Sequence, residues 1–84
     1  MKDFDTICGE IREERERQIE KWSDGIRNAD TMIRVIGEEF GEVCRAVNDD
    51  DASNYREEFV QLAACCVKAI QCFDREKEAA EDHH

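Results

Sequence analysis

The chain has 84 residues, a formal net charge of −10 and no proline. That length holds one domain and a small core, since only about 60% of the unfolded surface can be buried, and oligomerisation is a common remedy for so small a core. The acidic balance opposes a phosphate backbone and excludes long nucleic acid as a partner. No apolar run reaches the roughly 18 residues of a membrane span, and the charged start MKDFDTICGEIREERERQ is not a signal peptide, so a cytoplasmic protein without a membrane partner is expected.

The first helix is expected from about Asp3 to Trp22, with Phe4, Ile7, Ile11, Ile19 and Trp22 on one face. The stretch REERER interrupts it and reads as a solvated face laced with pairs such as Glu13 with Arg17. SDGIRNAD follows as a loop around Gly25, after which Asn28 or Asp30 can cap a second helix reaching Val47 or Asn48. NDDDAS breaks the chain again. A third helix is expected from Asn54, whose side chain caps it while Glu57 completes a capping box, to about Glu78. Residues 1–80 form a single helical domain, and 81–84, including His83 and His84, form a frayed tail.

At about 100° per residue the second helix gathers Met32, Ile33, Ile36, Phe40, Val43 and Val47 on an apolar face. Glu38, Glu39 and Glu42 share one flank of that face, and Gly37 and Gly41 the other. Each helical glycine costs about 1 kcal/mol relative to alanine, so the pair points to a neighbouring helix packed unusually close. In the third helix the expected core face is Tyr55, Phe59, Leu62, Cys66, Ala69, Ile70 and Phe73, and Glu58 falls inside that arc. The same helix is apolar behind, at Val60, Ala64 and Val67, so it needs two sets of neighbours. A three-helix protomer cannot supply both, which predicts a homodimer or homotetramer assembled as an oligomeric helical bundle.

A carboxylate facing a core costs several kcal/mol unless it is compensated. Either a cation such as Arg34, Arg45 or Lys68 pairs with Glu58, or a metal ion draws several acids together. Lys68 lies on the same flank as Gln61, about two turns on. Oxygen donors without histidine suit Mg2+ or Mn2+, and the Glu-x-x-His pairs of di-iron bundles do not occur. Five cysteines, an odd number without a CxxC pair, read as small core residues rather than as disulfides or a zinc site.

The order ERERQIEKW, VIGEEFGEVCRAV, NYREEFVQLAAC resembles the MazG-like nucleotide pyrophosphohydrolases of the all-α NTP pyrophosphatase superfamily, over residues about 12 to 72. That resemblance implies an all-α oligomer that uses magnesium to hydrolyse a nucleoside triphosphate to its monophosphate and pyrophosphate. The family signature is Glu-Glu-x-x-Glu followed by Glu-x-x-Asp. By that resemblance Glu39, Glu42 and Glu58 would be metal ligands, and Glu38 would position or deprotonate the attacking water. Gln61 stands where the pattern has aspartate and binds a hard cation more weakly, although Asp49 can partly substitute. Lys21 and Trp22 would fit phosphate and base contacts, with Lys68 a further substrate-binding candidate. The alternative is a catalytically inactive helical oligomer of the same ancestry, acting as an interaction module.

Overall fold

The computed structural model describes residues 1–22 and 28–81, the side chains of Trp22 and Ala29 excepted. The loop around Gly25 and the tail histidines His83 and His84 lie outside the described residues. Those residues form three helices and no strand: α1 at Phe4–Trp22, α2 at Ala29–Asn48 and α3 at Ala52–Glu81. None is long and apolar enough to cross a membrane.

Short polar side chains set the helix starts. Asp3 Oδ1 accepts from the Thr6 N–H at 2.8 Å, and Asn28 Oδ1 from the Thr31 N–H at 2.8 Å. Such caps are worth about 1 kcal/mol each. At α3 the expectation needs correcting, because Asp51, not Asn54, is the capping residue: its Oδ1 accepts the Asn54 N–H at 3.3 Å, and the helix begins at Ala52. Asp50 adopts a left-handed φ of 54°, the Asp51 N–H bonds to Ala46 O, and the Asp50 N–H bonds to Val47 O. This is the paired bonding of a Schellman ending, and it turns the chain into α3 two residues earlier than the asparagine suggested. The far end also differs, since α3 continues to Glu81 rather than Glu78.

Both α1 and α2 pack on α3 and, among the described residues, not on each other. The short turn makes α2 and α3 a helical hairpin. α1 crosses α3 steeply, as its two flanks show. Glu10, Glu13 and Arg17 lie against the start of α3 around Arg56, whereas Arg15 and Ile19 lie against Val67 and Gln71. Glu10 joins the helices at one end, receiving Lys2 Nζ at 2.6 Å and Arg56 Nη2 at 2.8 Å. At the other, Arg15 Nη2 donates to Gln71 Oε1 at 3.0 Å.

The core is narrow and only partly the one the apolar stripes suggest: Met32 and Val43 of the expected α2 face are buried, and Ile36, Tyr55, Leu62 and Ala69 are half-buried. Buried apolar residues are Met32, Val43, Ala46, Ala64, Cys65 and Cys72, with Glu14, Arg15, Gln18 and Lys68 buried among them. The charged run of α1 is therefore not simply a solvated face, and Arg17 pairs with Glu14 at 3.4 Å rather than with Glu13. Of the expected core, Ile33, Phe40, Val47, Phe59, Ile70 and Phe73 are exposed. On α2 they lie across the buried line from the cleft residues Val35 and Glu38. On α3 they lie round the helix from the residues that meet α1. The two stripes consequently share the side of the hairpin turned away from α1. Gly37 and Gly41 have no close neighbour among the described residues, since a Cβ built on either would meet nothing within 4 Å.

Candidate functional site

Because α1 and α2 touch α3 but not each other, a cleft opens between them with α3 as its floor. Two hollows lie along it. The first, about 220 Å³, is lined by Gln18, Met32, Val35, Glu38, Glu39, Cys65 and Lys68. The second, about 290 Å³, is lined by Glu14, Arg17, Gln18, Lys21, Glu39, Glu57 and Gln61. Gln18 and Glu39 belong to both, so the hollows adjoin. The fold thus brings Glu38, Glu39 and Lys68 together in one hollow and sets Lys21 and Gln61 in the next.

Glu39 sits on the buried line of α2, in step with Met32, Val43 and Ala46, and Glu58 reaches inward from the first turns of α3. Each has one carboxylate oxygen, Oε2, fully enclosed and without a hydrogen-bond partner among the described residues. Burial raises the Glu39 carboxyl above the usual 4.5, and the negative charge of Glu58 raises it further. Glu58 is likewise raised, first by burial and then by Glu42. An unsatisfied buried acceptor costs about 1–3 kcal/mol. Two of them near enough to repel each other are an arrangement that a cation relieves.

The charge of Glu42 reaches both members of this pair, Gln61 shares the second hollow with Glu39, and Glu58 lines neither hollow. Glu42 accepts a 2.5 Å hydrogen bond from Arg45 Nη1 on the exposed side of α2 and lines neither hollow. Asp49 is the exposed C-cap of α2. Gln61 lines the second hollow only. Among the described residues no three His, Cys, Asp or Glu side chains stand close enough together to hold a metal ion. Glu39 and Glu58 thus each keep one enclosed oxygen without a donor among the described residues, while Glu42 is engaged by Arg45. The side chain of Trp22 lies outside the described residues.

Gln18 is a site residue that the sequence pattern did not single out. It is buried where the hollows meet, accepting from Arg15 Nη1 at 3.4 Å and donating to Cys65 Sγ at 3.6 Å. The available signal was the gap in the apolar spacing of α1 between Ile11 and Ile19, where polar residues turn inward. Cys65, beside it, has its thiol pushed up by burial and by Glu39, which keeps it a neutral wall of the cleft rather than a nucleophile. Comparison of the chain with protein-family models, curated proteins and solved structures finds no match.

The two raised carboxyls fix a pH dependence. A group whose folded pKa lies above its unfolded value contributes stability that is fully present below the unfolded value and is lost as pH rises through the folded one. For Glu39 and Glu58 the loss runs upward from 4.5. The metal-free protein should therefore gain thermal stability from these groups as pH falls from about 7 to about 5. Melting in chelator across that interval checks it, and a Glu39→Gln, Glu58→Gln double variant should show a flatter profile. Asp3 and Glu10, held low by hydrogen bonds to Thr6 and to Lys2, act oppositely, losing their contribution as pH falls below the ordinary carboxylate value.

Proposed function

We propose that the protein is a magnesium-dependent nucleoside triphosphate pyrophosphohydrolase of the MazG-like kind, working as a homo-oligomer with an all-α NTP pyrophosphatase-like fold. The observation that carries this reading is the pair of enclosed carboxylate oxygens on Glu39 and Glu58, which face the interior from two helices with no partner. An acidic interior without compensation weakens a small domain, and a hard divalent cation with a phosphate ligand supplies the compensation. The motif resemblance adds the chemistry: cleavage of a (d)NTP to the (d)NMP and pyrophosphate.

In this reading Glu39 and Glu58 would hold the cation, joined by Glu42 once it leaves Arg45. When bound, magnesium or manganese would neutralise the triphosphate and polarise the phosphorus under attack. Glu38, exposed on the rim of the first hollow, would orient a water and accept its proton. Lys21 in the second hollow offers positive charge to the phosphate chain. Cys65, Met32 and Val35 give the first hollow an apolar wall that excludes bulk water.

Incubation with each (d)NTP and magnesium, with pyrophosphate measured against orthophosphate, tests the proposal. The expected result is pyrophosphate and a nucleoside monophosphate from at least one nucleotide. No product from any of them would leave the rival reading, an inactive helical oligomer serving as an interaction module. Two observations favour that rival: the engagement of Glu42 by Arg45 and the neutral Gln61 in place of an acid.

A further inference from the structure

We infer that Lys68 forms a phosphoryl-binding subsite at the end of the first hollow opposite Glu39, with Gln18 on the wall of the same hollow; the assignment rests on the nucleotide-hydrolase reading and specifies where that substrate's phosphate would sit. Lys68 is 9% exposed and makes no hydrogen bond or ion pair to any described residue. Its ammonium is not among the fully enclosed atoms, and it lines the hollow. What is buried of Lys68 is its stem; the ammonium opens into the hollow with no anion bonded to it among the described residues, so an anionic ligand can meet it there. Glu38 and Glu39 line the same hollow, yet neither forms an ion pair with Lys68.

The hairpin geometry explains the separation. Because α2 and α3 run back from a turn at 49–51, Glu39 lies level with Gln61, whereas Met32 lies level with Lys68 more than a turn further on. The hollow therefore has an acidic end and a basic end, with the apolar surface of Val35 and Cys65 between them. A cation-bound phosphate chain has the matching polarity, with its metal toward Glu39 and a free phosphoryl oxygen toward Lys68. Gln18 adds an amide nitrogen with two hydrogens, of which one donates to Cys65 Sγ at 3.6 Å and the other can donate to a phosphoryl oxygen. The chemical class is a phosphate ester or pyrophosphate, recognised through a non-bridging oxygen.

The test uses inorganic pyrophosphate as the probe, with and without magnesium, on the full chain and on Lys68→Met, Lys68→Arg and Gln18→Leu. Pyrophosphate should raise the melting midpoint beyond the effect of magnesium alone. Lys68→Met should weaken its calorimetric Kd by roughly ten- to a hundred-fold, the scale of a lost charged hydrogen bond. Lys68→Arg should retain most of the affinity, and Gln18→Leu should give a smaller loss. Lys68→Met keeps most of the buried stem, so its ligand-free midpoint should stay near that of the parent, whereas a residue needed for folding would lower the midpoint. Pyrophosphate binding that is absent from the parent, or equal in Lys68→Met, overturns the assignment. A Lys68-dependent pyrophosphate response in a protein that turns over no nucleotide would sink the hydrolase reading and leave the subsite standing.

Discussion

Replacing Glu39 with glutamine should raise the metal-free melting temperature and at the same time remove the shift that magnesium produces. The first effect follows from the enclosed Oε2, which has no donor, and from the neighbouring charge of Glu58. Removing the charge relieves about 1 kcal/mol or more, which for a domain of this size moves the midpoint by about 4–8 °C. The second effect follows from the proposed ligand role, because a neutral amide is a poor donor to a hard cation. Pyrophosphate release should fall by roughly a hundred-fold or more, the scale seen when one preorganised electrostatic group is removed from a site. Glu38→Gln is the control. Its side chain is exposed on the rim, so it should lower turnover while leaving both the metal-free midpoint and the magnesium shift unchanged. If Glu39→Gln melts lower than the parent and magnesium shifts both equally, Glu39 is not a ligand.

Much of this architecture was legible in the residues, but the inside of the bundle was less so than its outline. The helix ends followed from capping chemistry, and the one displaced start shows why such signals compete. Asp51 and Asn54 can both cap, and the left-handed Asp50 determined which of them did. The apolar stripes misled for a different reason. The apolar face of α2 is wide and α3 is apolar on two sides, and periodicity within one helix does not say which part its own chain covers. Met32 and Val43 of the face read as core are buried, whereas Phe40 and Ile70 lie on the outside. The inward position of Glu58 was legible because it interrupts apolar neighbours at helical spacing, whereas the pattern put Glu39 only on the flank of the apolar face. The burial of Glu14, Arg15 and Gln18 was not legible, since it depends on how steeply α1 crosses α3, an angle that no local pattern encodes.

Placing a charge on the outer face should have the second large effect: Phe40→Glu or Ile70→Glu is expected to convert an oligomer to a monomer. Phe40 is 56% exposed and Ile70 62% exposed on the protomer, alongside Ile33, Val47, Phe59 and Phe73. Ile33, Phe40 and Val47 are spaced by seven, as are Phe59, Cys66 and Phe73, the seam pattern by which helices pack into left-handed bundles. Neither seam contains a charged residue, although the chain as a whole carries −10. Two such chains repel everywhere except across a charge-free face, and a two-fold pairing of these seams would make four helices from two hairpins. Burying each large apolar side chain contributes about 1.5–3 kcal/mol, and in a two-fold interface every substitution is made twice. Light scattering at micromolar concentration should give the parent a multiple of 9.8 kDa and the variants a mass near 9.8 kDa with a lower melting midpoint. Phe4→Glu, at a still more exposed apolar residue on α1, should leave the mass unchanged. A parent that already scatters as a 9.8 kDa species would end the oligomer proposal, and with it the reason for two apolar sides on α3.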